Sequence, residues 1–212
     1  MLGVLPNSMS LLTGLSAVFA EAGWQIERTH ERSCRGTLSS ESQKSHTIVF
    51  ARPDGAMQLL RSRHAHFAVL GLDKLYESSG GCRPSDCAIY NLPHISRQGL
   101  PTEVVLFSKK YHTLFPGARI ATEYPNITEQ YITKVGQLAV SIPVSGSAEV
   151  LVAVDAADFG VAINETGNTL WQNGLQIVMP LLTTSVVLVC KKGHTEANEF
   201  CERVSKTLCP AL

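Results

Sequence analysis

The sequence lacks an excess of charge of either sign. Its 18 Lys and Arg are matched by 18 Asp and Glu, a formal net charge of zero over 212 residues. Proteins that track a phosphate backbone or an anionic lipid surface concentrate cations. Nucleic acid and membrane are therefore excluded as expected partners, in favour of a small molecule or a protein. Long apolar runs are lacking too. No stretch approaches the roughly 20 apolar residues that cross a bilayer as a helix, and "LLTGLSAVFAEA" has no Lys or Arg before it and is interrupted upstream by Pro6 and Asn7, unlike a secretory leader. A cytoplasmic location is expected. Six cysteines are present without zinc-like spacing: four residues separate Cys82 from Cys87, and no second Cys or His pair follows at ligand distance. A chain of this length buries a core without disulfide staples. Reduced thiols and no resident metal site are expected.

What is present is alternation of strand-like and helix-like segments. "LGVL" reads as a strand followed by a helix to about Ala22, stopped at Gly23. "HTIVFARP" is a strand before the short helix "AMQLLRSR", and "HFAVLGLDKLYE" is a buried strand, a turn at Gly71 and a helix starting near Asp73. "SSGGCRPSDC" is a loop, "TEVVLFSKK" a strand, and "GARIATEYPNITEQYITKVG" a strand and turn before a helix from about Asn126 to Lys134, with Asn126 or Thr128 as its cap. "LAVSIPV", "SAEVLVAVDAA" and "FGVAI" continue the alternation. "LQIVMPLLTTSVVLVCKK" carries one or two strands, and "TEANEFCERVSKTLC" closes the chain as an amphipathic helix with Phe200, Val204 and Leu208 on one face. Such alternation predicts an α/β protein with mixed, mostly parallel sheets covered by helices.

Two strand-to-helix turns have chemistry suited to an anion. In "ETGNT", Thr166, Gly167, Asn168 and Thr169 combine hydroxyl donors, a residue that lets the backbone approach a ligand closely, and the amides of a helix start. In "SGSAE", Ser147 and Glu149 read as a capping pair about twenty residues upstream, so both turns are placed to face one anionic ligand. Arg52 and Asp54 sit at the end of a strand, where open sheets bind ligands, and Arg suits bidentate phosphate contact; a plain surface ion pair between the two is the simpler alternative. His64 and His66 alternate as on a strand but lack the carboxylate and third ligand that a metal centre needs.

Taken together, these segments resemble the ATP phosphoribosyltransferases that open histidine biosynthesis. The likeness is densest in "SGSAEVLVAVDAADFGVAINETGNTLWQNGL", similar to the family's S-G-S-x-E and D-x-x-E-T-G-x-T-L-x-x-N-G-L. It extends collinearly through "ARIATEYPNITEQYI", "AVLGLDKLYE", "ARPDG" and the opening strand–turn–helix. The resemblance implies a two-lobed, periplasmic-binding-protein-like fold, with residues 1–97 plus 183–212 in the first lobe and 98–182 in the second. It implies the short form of the family, lacking the regulatory domain, and a reaction joining phosphoribosyl pyrophosphate (PRPP) to N1 of the adenine of ATP, or of a related purine nucleotide, with Mg2+ present. Carried over by position, Glu165, Thr166, Gly167, Asn168, Thr169, Ser147 and Glu149 would hold PRPP. Arg52, Arg32 and Glu165 would act in catalysis, and Asp73, Arg52 and Leu5 would lie at the nucleotide. A homo-oligomer with a possible regulatory subunit is implied as well. The sequence departs from the family pattern at three places: Ala162 replaces an acidic residue, Asn168 a Thr, and "PNSM" (Pro6 to Met9) the sequence P-K-G-R. The alternative is a non-catalytic paralogue that binds nucleotide or pairs with an active subunit.

Overall fold

In the computed structural model the described residues are 1–42, 44–92, 102–165 and 167–208, with the side chains of Ser10 and Leu208 excepted. The elements run β1 (Leu2–Pro6), α1 (Met9–Glu21), β2 (Trp24–Arg28), β3 (Arg35–Ser40), β4 (Ser45–Ala51), α2 (Pro53–Arg61), β5 (Phe67–Gly71), α3 (Leu72–Ser78) and β6 (Cys87–Asn91). They continue with β7 (Thr102–Ser108), β8 (Arg119–Thr122), α4 (Pro125–Val135), β9 (Val140–Pro143), α5 (Ala148–Ala153), β10 (Phe159–Asn164), α6 (Asn168–Gln172), β11 (Gln176–Thr184), β12 (Val186–Lys191) and α7 (Thr195–Leu208). The chain divides into two units, Met1–Leu75 with Pro84–Ser96 and Ser185–Leu212, and Tyr76–Arg83 with Arg97–Thr184. Residues Tyr76–Arg83, expected with the first lobe, thus group with the second.

The first unit is a seven-stranded sheet in the order β2-β3-β4-β1-β5-β12-β6. Its apolar centre, β4-β1-β5, is parallel, and the flanking strands pair antiparallel. Alternation along β1 sends Leu5 to one face, with Leu15 and Phe19 of α1 and Phe200 and Val204 of α7, and Val4 to the other, with Met57 and Leu60 of α2. The two edge strands β2 and β6, and β3 beside β2, were not anticipated. Only Trp24 and Leu38 are buried in the β2–β3 hairpin, so its sequence has little apolar period to read.

The second unit is a five-stranded sheet, β11-β7-β10-β8-β9, with β10-β8-β9 parallel and β11-β7-β10 antiparallel. Mixed sheets covered by helices are therefore present in both units. Among the described residues, parallel pairing occupies the centre of the first sheet and the β10-β8-β9 side of the second, and six antiparallel pairs outnumber four parallel ones. Tyr124 and Ile127 at the start of α4 pack with Phe159 and Val161 on one face; Ala148 and Val152 of α5 and Leu170 of α6 pack with Phe107 and Ala162 on the other. Gly160 of β10 is required by close approach, since a Cβ there would meet the Phe107 ring at 2.1 Å.

Neither Asn126 nor Thr128 caps α4. The Thr128 hydroxyl donates to the Tyr124 carbonyl at 2.8 Å and pairs with Thr122 Oγ1 at 2.8 Å inside the core. The helix start is closed instead by Glu77 of α3, whose two carboxylate oxygens accept from the amides of Asn126 (2.9 Å) and Ile127 (3.0 Å). A distant carboxylate thus meets both the unpaired amides and the positive helix end. This contact ties Tyr76–Arg83 to the second unit. Cys34, Cys82, Cys87, Cys190 and Cys201 are free thiols, and Cys209 lies outside the described residues. Burial, with Asp86 alongside, pushes the Cys87 thiol up to about 11.

Candidate functional site

In the second unit, β10 delivers the chain to the turn between Asn164 and α6. Gly167 adopts φ 74°, a left-handed conformation that costs Gly little, and caps the short helix. Its N–H donates to Asn164 Oδ1 at 2.8 Å, so one of the turn's backbone donors is engaged within the protein. Glu165, Gly167 and Thr169 line a cavity of about 220 Å³ together with Glu149 and Asn164. The two turns quoted from the sequence therefore do share one cavity, through Glu149 rather than Ser147. Ser147 is itself left-handed (φ 65°) and its side chain makes no cap on α5, contrary to the capping pair expected. Asn168 begins α6 and is exposed. Thr166 lies outside the described residues.

The lining carries two carboxylates and a hydroxyl, and no cation among the described residues. Carboxylates accept hydrogen bonds from sugar hydroxyls, and the Thr169 hydroxyl and backbone amides are the donors that suit a phosphate. Ala162, two residues before Asn164 and on the same face of β10, is 3% exposed and sits among apolar side chains. The position that is acidic in the resembled motif is thus apolar and filled here.

In the first unit a second cavity, of about 330 Å³, lies at the C-terminal edge of the parallel strands. Pro6 at the end of β1, Asn7 and Ser8 after it, Arg52 after β4, and Leu70 and Gly71 at the end of β5 line it. This is the edge at which open sheets bind ligands. Arg52 is exposed and forms no ion pair with Asp54, against the simple surface-pair alternative. Asp73 is 4% exposed, in the first turn of α3 beside Gly71. Leu5 has no exposed surface and packs into the core, so its side chain supports β1 beneath the cavity rather than lining it. Arg32 is exposed on the β2–β3 connection and lies outside the cavity wall.

A residue overlooked in the sequence stands at the first turn instead. Arg28 of β2 donates from Nη2 to Asn7 Oδ1 at 2.9 Å and from Nε to the Ser33 carbonyl at 2.8 Å, and its guanidinium lies 4.1 Å from the Phe50 ring centroid. Its Nη1 is buried and has no partner among the described residues. The turn that departs from P-K-G-R is therefore served by a cation from another strand. The only sequence signal was an Arg in a segment without strand periodicity.

Among the described residues no three His, Cys, Asp or Glu side chains gather as a ligand set. Two carboxylates in one cavity are the donor set of an ion that retains water and shares substrate phosphate oxygens, as magnesium does. Glu149 and Glu165 fit that use. No helix among the described residues is long and apolar enough to cross a membrane.

Two mixed α/β units, each with a cavity at strand ends, define a periplasmic-binding-protein-like α/β protein. The structure resembles the ATP phosphoribosyl transferase (HisG:HisZ) complex from Thermotoga maritima with a TM-score of 0.75, at 22% identity and with 100% of both chains covered. It also resembles the periplasmic VFT2 domain of Bordetella pertussis BvgS with a TM-score of 0.56, at 15% identity over 98% of this chain and 86% of that one. Residues 52–209 match the family HisG: ATP phosphoribosyltransferase. The chain belongs to the ATP phosphoribosyltransferase family. An ATP phosphoribosyltransferase of Gemmatimonas aurantiaca is 27% identical over 201 residues, 87% of this chain and 62% of that protein, so the present chain spans less than two thirds of its length.

Proposed function

We propose that this protein is a phosphoribosyltransferase that joins the phosphoribosyl group of PRPP to N1 of the adenine of ATP or a related purine nucleotide. The ribose C1–O bond to pyrophosphate breaks as the C1–N1 bond forms, and the electron pair of the broken bond leaves on pyrophosphate. Family membership supports the reaction class, and the carrying observation is that Glu149, Glu165 and Thr169 share one cavity. In this reading Glu165 accepts from a ribose hydroxyl. The turn from Thr166 to Thr169 holds the 5′-phosphate, with Ser147 and Glu149 alongside. Arg52 meets the anionic phosphates at the strand edge, Arg32 assists from the neighbouring connection, and Asp73 and Leu5 order the floor beneath the nucleotide. Glu149 and Glu165 would hold a magnesium ion, which when bound neutralises charge on the departing pyrophosphate. The protein acts as a homo-oligomer in the cytoplasm, with a regulatory subunit as a possible partner, in histidine or a related nucleoside pathway.

A second reading, a non-catalytic subunit that binds nucleotide or pairs with an active one, is favoured by the buried Ala162 where a ribose-binding acid is expected. One assay separates them. The protein is incubated with PRPP, ATP and magnesium, and pyrophosphate release is followed. The proposal expects release, with Glu165→Gln lowering kcat/KM by about 10–100-fold, the worth of roughly 1–3 kcal/mol for a charged hydrogen bond. No release with any purine nucleotide, alone or with a partner subunit, overturns the enzyme and leaves the second reading.

A further inference from the structure

We propose that the first unit carries a second anion site, at the edge of its sheet opposite Arg52, that takes a compact oligophosphate. The site is a cavity of about 410 Å³. Arg61 ends α2, Arg63 and His66 lie in the connection to β5, Lys191 ends β12, and Lys192 and His194 lead into α7. Since β5 runs from this edge toward Gly71, about 15 Å of strand separates the site from the cavity that Arg52 lines. No motif of the family resemblance falls on these residues.

Charge and hydrogen bonding both point to an anion. Four permanent cations line the cavity against one acid, Asp86, which pairs with Lys191. The lining thus carries a formal charge of plus three in a chain whose total charge is zero, and a concave wall focuses that field on whatever occupies it. Arg63 and Lys192 have exposed side chains with no partner among the described residues. The histidines add ring donors. The Leu2 amide donates to His66 Nδ1 at 3.0 Å and the Ala197 amide to His194 Nδ1 at 3.2 Å. With Nδ1 accepting in each bond, Nε2 is the ring nitrogen left to donate outward, the longer 3.4 Å approach of His66 Nδ1 to the Leu2 carbonyl being the weaker contact. The two rings stand edge to face with centroids 4.5 Å apart, so one ligand reaches both.

Size and charge select the ligand class. The cavity, of about 410 Å³, has room beyond a single phosphate ion. A chain of two or three phosphates supplies three to four negative charges and matches the cationic excess. Such a chain comes as inorganic oligophosphate or as the tail of a nucleotide.

Calorimetric titration of the intact protein with inorganic tripolyphosphate tests the site, with histidine side-chain NMR locating the ligand. The expected results are shifts of the His66 and His194 Nε2–H resonances, and binding weakened at least about tenfold in Arg63→Ala/Lys192→Ala. Thr169→Ala, at the other cavity, leaves both unchanged. The control Lys44→Ala/Arg203→Ala removes the same charge from another face. If that control weakens binding equally, only net charge is at work and the proposal is overturned, as it is if Arg63→Ala/Lys192→Ala binds like the parent or the imidazoles do not shift. ATP binding here as tightly as tripolyphosphate assigns the phosphate chain alone as the feature read, and tighter ATP binding assigns a nucleotide. Displacement of tripolyphosphate by adenosine overturns the site.

Discussion

Ala162→Asp returns to β10 the carboxylate of the resembled motif, and its cost follows from where Ala162 lies. The side chain is 3% exposed and packs with Val105, Phe107, Ala148 and Leu170. No cation lines the adjacent cavity among the described residues, and Glu149 and Glu165 supply charge of the wrong sign. A carboxylate there loses water without gaining a partner, a penalty of about 2–4 kcal/mol when ionised. Burial and the two glutamates raise its native pKa above the unfolded value near 3.9. The native state then binds the proton more tightly, so the penalty is small below about pH 4 and grows as pH rises, by up to about 1.4 kcal/mol per unit, until the native pKa is passed. Denaturant unfolding of Ala162→Asp and the parent at pH 5 and pH 8 measures this. The expected outcome is a lower midpoint for the variant, with the deficit larger at pH 8. Equal midpoints at pH 8 would refute the reasoning and mean that position 162 opens to a solvated cavity. If the variant folds and gains pyrophosphate release that the parent lacks, the non-catalytic reading gains.

Arg28→Ala removes two hydrogen bonds and the contact with Phe50 from a half-buried side chain, and should cost about 1–2 kcal/mol in urea unfolding while raising the KM for the nucleotide by loosening Asn7. Arg28→Lys should recover little, because an ammonium cannot reach both acceptors and stack at once. His46 is held below its ordinary pKa, first by burial and next by the nearby N-terminal amine, while it stacks on Trp24 at 5.1 Å. Its unfolded form protonates first, so the stability it contributes is complete above about pH 6.5 and is lost as pH falls below that value. His46→Phe should flatten the stability profile between pH 5 and 7, and an unchanged slope would assign it to other groups.

How far each feature was legible depended on how local its cause is. The strands β1, β4, β5 and β10 with the helices after them, and the strand β7, were readable because buried strands are apolar runs or clean apolar alternations punctuated by Gly and Pro. The hairpin of β2 and β3 and the edge strand β6 were not, since an edge strand buries little and has scant pattern to impose. At the site, Glu165 to Thr169 and Arg52 were marked by their place in strand-to-helix connections. Arg28 was unmarked because β2 has no distinctive pattern, and the closure of Gly167 by Asn164 was unmarked because a motif names residue types and not the hydrogen bonds between them.

The sequence by itself determined the alternation of elements, the family, and the chemistry of the two turns, all of which rest on residues adjacent in the chain. Only the tertiary structure decided which distant groups meet. Glu77 rather than a local cap closes α4, Glu149 rather than Ser147 joins the cavity of Glu165, and Arg28 serves the turn at Asn7. The cationic cavity gathers Arg61, His66, Lys191 and His194 from segments more than a hundred residues apart. Each of these meetings depends on sheet order and register, which pair strands across long stretches of chain and leave no trace in local spacing.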